Sequence, residues 1–497
     1  MAMRARRRLS LVVLSLLALA GAARAATAPA PEAFVRHFED ATLRIDYFHT
    51  GDAKREVVSL DQVYREGPYA GSRVHLVDAL DLGRYCAKLY DTASGDLLWS
   101  RGFDSYFGEY RTTAMASAGR ARTYHESVIA PYPKAKVMFA LEARRDDGVM
   151  DEIFRAEIDP ADWAVLRQAP PAGVHTVDAH LSGDPHACVD IAILGEGYTA
   201  DQAAKFDADV ARFAGIMLEH DPYASHRDAI NVRGVLLPSQ ESGCDEPSRG
   251  VYRRTSLGCG FDALGSERYL LTEDNRALRD IAGTVPYDVL YVMVNHERYG
   301  GGGIYNLFCT FTSDNQWSPY VFLHEFGHCF AGLADEYYTS NVAYESFYPA
   351  GYEPRERNIT ALGDPGALKW GDLATPGPLP TPWDKAEYDA MDVAYQERRG
   401  AINDRIAALM RGGAAAAEVE AAKAEGEALS LQHQQEVDAW FARNPARDTI
   451  GAFEGAGYMS HGMYRSQLDC IMFTKGIKPF CAACRRGIEE VIASWSE

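Results

Sequence analysis

The sequence predicts a mixed α+β and α/β chain: an N-terminal β-sandwich, then an α/β domain with a helical hairpin inserted in it. Three observations predict this. Short alternating runs split by Gly, Asp and Pro turns fill Phe34 to about Ile158. Strand and helix patterns then alternate from Cys188 to Asn295. Last, Pro382 to Pro445 is rich in Ala, Glu, Gln and Arg and poor in β-branched residues.

The elements follow in order. Arg4, Arg6, Arg7 and Arg8 precede an apolar run, Leu9 to Ala20, which is short for a bilayer span, and Ala23-Arg24-Ala25 offers a small-x-small cleavage site. Residues 1–25 therefore read as a signal peptide, and the mature chain is expected in the periplasm or outside the cell, with no membrane span. Removing the leader takes away five arginines and no acid, which carries the formal charge from −20 to −25. Such a charge argues against nucleic acid as a partner, because phosphate binding needs a basic surface. It does not name a substrate or an oligomeric state.

The first domain is expected over 31–168, with strands at Leu43–Tyr47 and Lys136–Leu141 and no chemical constellation of its own; its expected role is packing or presenting substrate. Ala169-Pro170-Pro171-Ala172-Gly173 reads as the linker. The second domain, 174–497, opens with a buried strand at Cys188–Leu194 and a helix at Asp201–Leu218. Further strands are expected at Asn231–Leu237 and Asp288–Asn295, the last a central one. The segment 382–445 reads as two antiparallel helices around Gly412-Gly413, expected to project from the domain, with a dimerisation arm or a decorative insertion as unranked alternatives. The nine cysteines are scattered and odd in number, so at least one is free or pairs between chains. Cys481 and Cys484 form a lone CxxC; a redox or zinc reading needs a partner motif that the sequence does not show, so the pair reads as a structural disulfide or as free thiols.

The chemistry lies in Tyr320–Tyr337. His324 and His328 are four apart, so on a helix both imidazoles share one face and can bind one zinc ion. Glu325 stands beside the first of them, placed to take a proton from a zinc-bound water and pass it to a leaving amine. Val321-Phe322-Leu323 gives an apolar face ahead of the histidines, and Gly332 supplies a left-handed stop. Catalytic zinc normally has three protein ligands. In metzincin-type sites the third lies ten residues after the first histidine, which here is Ala334. The turn looks one residue longer, so Asp335 is the expected third ligand, with Glu336 the alternative.

The string His-Glu-Phe-Gly-His-Cys-Phe-Ala-Gly-Leu-Ala-Asp-Glu-Tyr resembles the zinc motif of the bacterial IgA peptidase family of metallopeptidases. Leu194-Gly195-Glu196-Gly197-Tyr198-Thr199 resembles that family's opening of the catalytic domain, and Val294-Asn295 with Tyr299–Asn306 its segment before the zinc helix. Glu454–Tyr458, Gly462–Arg465 and Asp469–Met472 resemble its C-terminal part. The resemblance implies a metzincin-like catalytic domain, a peptide-bond substrate and an N-terminal β-rich domain. It leaves 382–445 uncovered. It also implies a methionine turn beneath the zinc, for which Met472 is the match, and an upstream edge strand that aligns substrate. Gly300–Gly303 with Ile304-Tyr305-Asn306 is the expected strand, and Gly302, Gly303, Ile304 and Tyr305 are the expected substrate contacts. The bland reading of the glycine run is a flexible turn. Tyr464 and His461 are polar candidates for stabilising an oxyanion.

The expected function is an exported zinc endopeptidase acting on protein or peptide. Two other classes stay open: a peptidase fold that binds without cutting, and a zinc amidase acting on cell-wall peptides. Nothing in the sequence encodes a preference for the immunoglobulin hinge.

Overall fold

The computed structural model describes residues 31–339, 348 and 351–496; the expected signal peptide lies outside the described residues. The N-terminal region carries α1 (Glu32–His37), β1 (Phe38–Gly51), β2 (Glu56–Glu66), β3 (Tyr85–Asp91), β4 (Leu97–Phe103), α2 (Tyr106–Tyr110), α3 (Ala114–Ser117), β5 (Arg122–Pro133), β6 (Val137–Arg144) and β7 (Met150–Ile158). They form two antiparallel sheets, ordered β2-β1-β5 and β4-β3-β6-β7. Alternation along β3 buries Tyr85, Ala87 and Leu89. These meet Leu43, Ile45 and Tyr47 of β1 and Phe139 and Leu141 of β6 in one core, which is sandwich packing.

A second sheet system begins with β8 (His175–His180), β9 (Val189–Glu196), α4 (Ala203–Leu218), β10 (Ile230–Leu236), α5 (Asn275–Ala282), β11 (Val289–Val294), β12 (Gly301–Ile304), β13 (Phe308–Thr312) and α6 (Ser318–Ala331). The six strands run in the order β12-β13-β11-β9-β10-β8, parallel except for the two edges β12 and β8. Every residue of β9 and β11 is buried, as parallel strands covered on both faces require. On one face Ile191, Ile193, Tyr291 and Met293 pack with α4 and α6. On the other, Ala192, Leu194, Leu290 and Val292 pack with α5 and with Tyr106, Phe107 and Tyr110 of the sandwich. Polar contacts fix that junction: Arg44 pairs with Asp280 at 2.6 Å, Asn275 Nδ2 donates to Ser127 Oγ at 2.7 Å, and Arg276 pairs with Asp61 at 2.6 Å.

The chain then gives β14 (Ile359–Thr360), α7 (Lys385–Arg411), α8 (Ala416–Arg443), β15 (Phe453–Ala456), β16 (Met459–Arg465) and α9 (Ala482–Trp495); the three strands form a small sheet, β14-β16-β15. The two long helices turn at Gly412-Gly413, where Gly413 takes φ +68°, a conformation glycine adopts without strain. The expectation that they project is corrected. Tyr388, Val437 and Phe441 at their base are buried in the main core with Tyr338 and Phe473. Nearer the tip, Arg411 donates to Ser248 O at 2.9 Å and Lys423 pairs with Glu297 at 2.7 Å. The pair lies along the domain because its apolar stripes continue the core.

Candidate active site

Helix α6 begins with Pro319 in its first turn, where no N–H is needed, and its inward residues are almost all apolar. It ends at Gly332, φ +56°, where Gly332 N donates to His328 O (3.0 Å) and Leu333 N to Gly327 O (3.1 Å). This left-handed stop turns the chain back, so that Asp335 comes under the histidines. His324 Nε2 and His328 Nε2 are 3.1 Å apart, and Asp335 Oδ1 lies 3.0 Å from the first and 3.2 Å from the second. The far nitrogen of each ring is occupied: His324 Nδ1 meets Ile471 O at 3.0 Å and His328 Nδ1 meets Leu333 O at 2.6 Å. A carbonyl only accepts, so both Nδ1 atoms donate, and each Nε2 faces the same point, where loss of its proton would free it to bind a metal. The donor set, two imidazoles and a carboxylate, fits a divalent transition metal.

The electrostatics agree. Burial alone would lower the His328 imidazole, but the Asp335 charge and hydrogen bond outweigh it and raise it to about 9. Burial would raise the Asp335 carboxyl, yet the His328 charge and the hydrogen bonds from both histidines hold it well below the usual range. Tyr458 OH donates to the other oxygen of Asp335 and fixes its rotamer. Burial pushes the Glu325 carboxyl up, against the opposing pull of His324 and His328.

Glycines set the spacing. A Cβ on Gly303 would lie 2.6 Å from Glu325 O and 3.0 Å from His328 Cβ, and one on Gly301 would lie 3.1 Å from Glu325 Cγ. Edge strand β12 therefore presses directly on the histidine turn of α6. On the opposite side, a Cβ on Gly327 would lie 3.0 Å from Met472 Sδ, so Met472 sits against the helix between its two histidines.

A cavity of about 340 Å³ opens over these groups. Of the expected substrate contacts, Gly303 and Tyr305 line it. Gly302 and Ile304 are not among its lining; they are buried, Gly302 toward Leu271. Gly301 already engages Arg268 O and Leu270 N, so at that residue the outer edge of β12 is taken. His461 and Tyr464 lie on β16 away from the cavity, His461 being exposed.

Two models of one known family match the chain: IgA Peptidase M64 over residues 177–492, and Peptidase M64 N-terminus over residues 33–155. The chain belongs to the IgA peptidase M64 family. It is thus a peptidase of a metallopeptidase family, and its substrates are proteins or peptides. No curated protein matches it. No helix among the described residues is long and apolar enough to cross a membrane. The larger match runs through α7 and α8, so the helical pair falls inside the region that the family model spans.

Several lining groups were not singled out from the sequence. Arg268, Tyr337 and Tyr458 face the M64 site: Arg268 Nη2 donates to Tyr337 OH at 2.9 Å, and the Tyr337 ring stacks 6.2 Å from that of His324. Arg84, Asp104 and Arg144 bring the sandwich to the cavity wall, and Tyr395 and His433 bring the helical pair. Tyr458 closes the Glu454–Tyr458 segment that resembles the family, but only its φ of +63° and its bond to Asp335 reveal a role. Glu336, the alternative ligand, turns away from the histidines into a second group with Cys470, Cys481 and Cys484. None of the nine cysteines is in a disulfide, so the disulfide reading of the CxxC is corrected.

Proposed function

We propose that the chain is an exported zinc endopeptidase with a metzincin-like catalytic domain, into which α7 and α8 are inserted. The single observation behind this reading is the convergence of His324 Nε2, His328 Nε2 and Asp335 Oδ1 with both Nδ1 atoms committed to carbonyls. These three residues would hold the zinc. Zinc, when bound there, supplies a nucleophilic water at neutral pH and polarises the scissile carbonyl.

The chain's own residues do the rest. Glu325, one residue after the first ligand and raised by burial, accepts a proton from the attacking water and returns it to the leaving amine. Tyr458 orients Asp335. Arg268 and Tyr337 give the cavity hydrogen-bond donors suited to a peptide carbonyl. Gly303 brings backbone close enough for an extended substrate to lie beside α6. Met472 supports the ligand turn from below.

The test is to incubate zinc-loaded protein and its Glu325→Gln variant with a peptide mixture and to map cut sites by mass spectrometry. Internal cuts made only by the unsubstituted protein are expected. Cleavage confined to peptidoglycan stems would make it an amidase, and peptide binding without cutting would make it a binding protein.

A further inference from the structure

We infer that the chain carries a second, structural zinc site formed by Cys470, Cys481, Cys484 and Glu336. One ligand atom from each lies within 4.8 Å of the others, and all four residues are buried. Cys470 Sγ and Cys484 Sγ are 3.8 Å apart. Tetrahedral zinc with Zn–S near 2.3 Å sets sulfurs about 3.8 Å apart. Glu336 Oε1 is 3.3 Å from both Cys481 Sγ and Cys484 Sγ, against about 3.5 Å for sulfur and oxygen on one tetrahedral zinc.

The surroundings treat the sulfurs as acceptors. Cys481 N and Met472 N point at Cys470 Sγ at 3.1 and 3.5 Å. Ser466 Oγ and Cys484 N point at Cys481 Sγ at 3.0 and 3.4 Å. The CxxC caps α9, with Cys481 at the N-cap, so the backbone N–H of Cys484 reaches back to the sulfur. Independently, Glu336 is fully buried and its Oε2 has no hydrogen-bond partner among the described residues. Arg465, a buried guanidinium whose charge acts on Glu336, donates its hydrogen bonds to the carbonyls of Glu454, Gly455 and Leu468. Three sulfurs and a carboxylate oxygen gathered at these separations make a four-donor set, and three thiolate-forming residues select a soft, tetrahedral cation.

The site has a mechanical consequence. Glu336 follows Asp335, and its N–H donates to Met472 O at 2.8 Å. Cys470 precedes Ile471, whose carbonyl orients His324. A zinc there would tie the Asp335 turn, the Met472 turn and α9 to one point behind the active site.

Metal analysis of the full purified chain tests this. Two zinc ions per chain are expected, falling to one in His328→Ala and to one in Cys484→Ala. Loaded with cobalt, His328→Ala should retain a thiolate-to-cobalt charge-transfer band, which no histidine site can give. That measurement decides the matter even if Cys484→Ala fails to fold. A His328→Ala protein that holds no metal and shows no such band, or a disulfide among these three cysteines in the unreduced protein, would overturn the inference. One zinc lost in Cys484→Ala but kept in His328→Ala would instead uphold it and remove the histidine site.

Discussion

At Glu325 the expected cost of substitution is catalytic and not structural. Glu325→Gln is isosteric and leaves all three donors in place, so zinc content by elemental analysis should stay the same while peptide hydrolysis falls by about 10²–10⁴. Equal turnover would remove Glu325 from proton transfer. Protons also compete with the metal. His328 is raised to about 9, so below that pH its imidazole holds a proton that a cation must displace. Asp335 is held low and stays ionised across the same range. Zinc affinity should therefore fall about tenfold per unit as pH drops from about 8 to about 6, read by competition with a chromogenic chelator. A flat profile would mean that His328 is not a ligand. The histidine pair was legible because four-residue spacing on a helix is local geometry. Asp335 and Glu336 were not separable, since adjacent carboxylates point oppositely and only the Gly332 turn decides which faces the histidines. Nor could spacing reveal that Glu336 meets Cys470, Cys481 and Cys484, which is tertiary information.

Elements sharpen these expectations. Gly303→Ala should destabilise the fold by about 1–3 kcal/mol, because its Cβ would meet the Glu325 carbonyl and the His328 side chain, and neither can yield without moving α6 off β12. A urea midpoint that does not shift would show that the strand and helix are not closely seated. The helical pair is expected to shape the cleft. The rings of Tyr395 and His433 stack at 4.0 Å over the cavity, and His433 is held by Asp392 at 2.9 Å. His433→Ala should raise KM for peptides several-fold with zinc content unchanged; the same KM on every peptide would deny the helices a role in binding. Excising Lys385–Arg443 should unfold the domain, since it removes Tyr388, Val437 and Phe441 from the core. Composition identified two helices and their glycine turn, but not their docking. Their buried residues are spread thinly along polar helices, and a weak stripe does not say what it packs on.

Across the whole molecule, the sandwich and the peptidase region behave as one body. Tyr106, Phe107 and Tyr110 of the sandwich share a core with Leu278 and Ile281 of α5, a contact no local pattern in either region encodes. Arg44 is fully buried and is neutralised partly from across the junction by Asp280 at 2.6 Å, alongside Asp46 at 2.7 Å. Tyr305 O accepts from Asp104 N at 2.9 Å, and Asn306 Nδ2 donates to Gly102 O at 2.7 Å, so the segment just after β12 is itself held by the sandwich. Interfaces between independent domains are more polar and permit relative motion. This one continues a core and carries a buried cation, and separating its halves would expose aromatic rings and leave Arg44 short of a partner. Calorimetry of the full chain should therefore give a single cooperative transition, with no earlier step for the sandwich. Asp280→Ala should lower that one transition without splitting it. Two resolved transitions, or residues 174–497 alone folding with the same midpoint, would show that the sandwich is an appendage and that the cavity wall bearing Arg84 and Arg144 is dispensable.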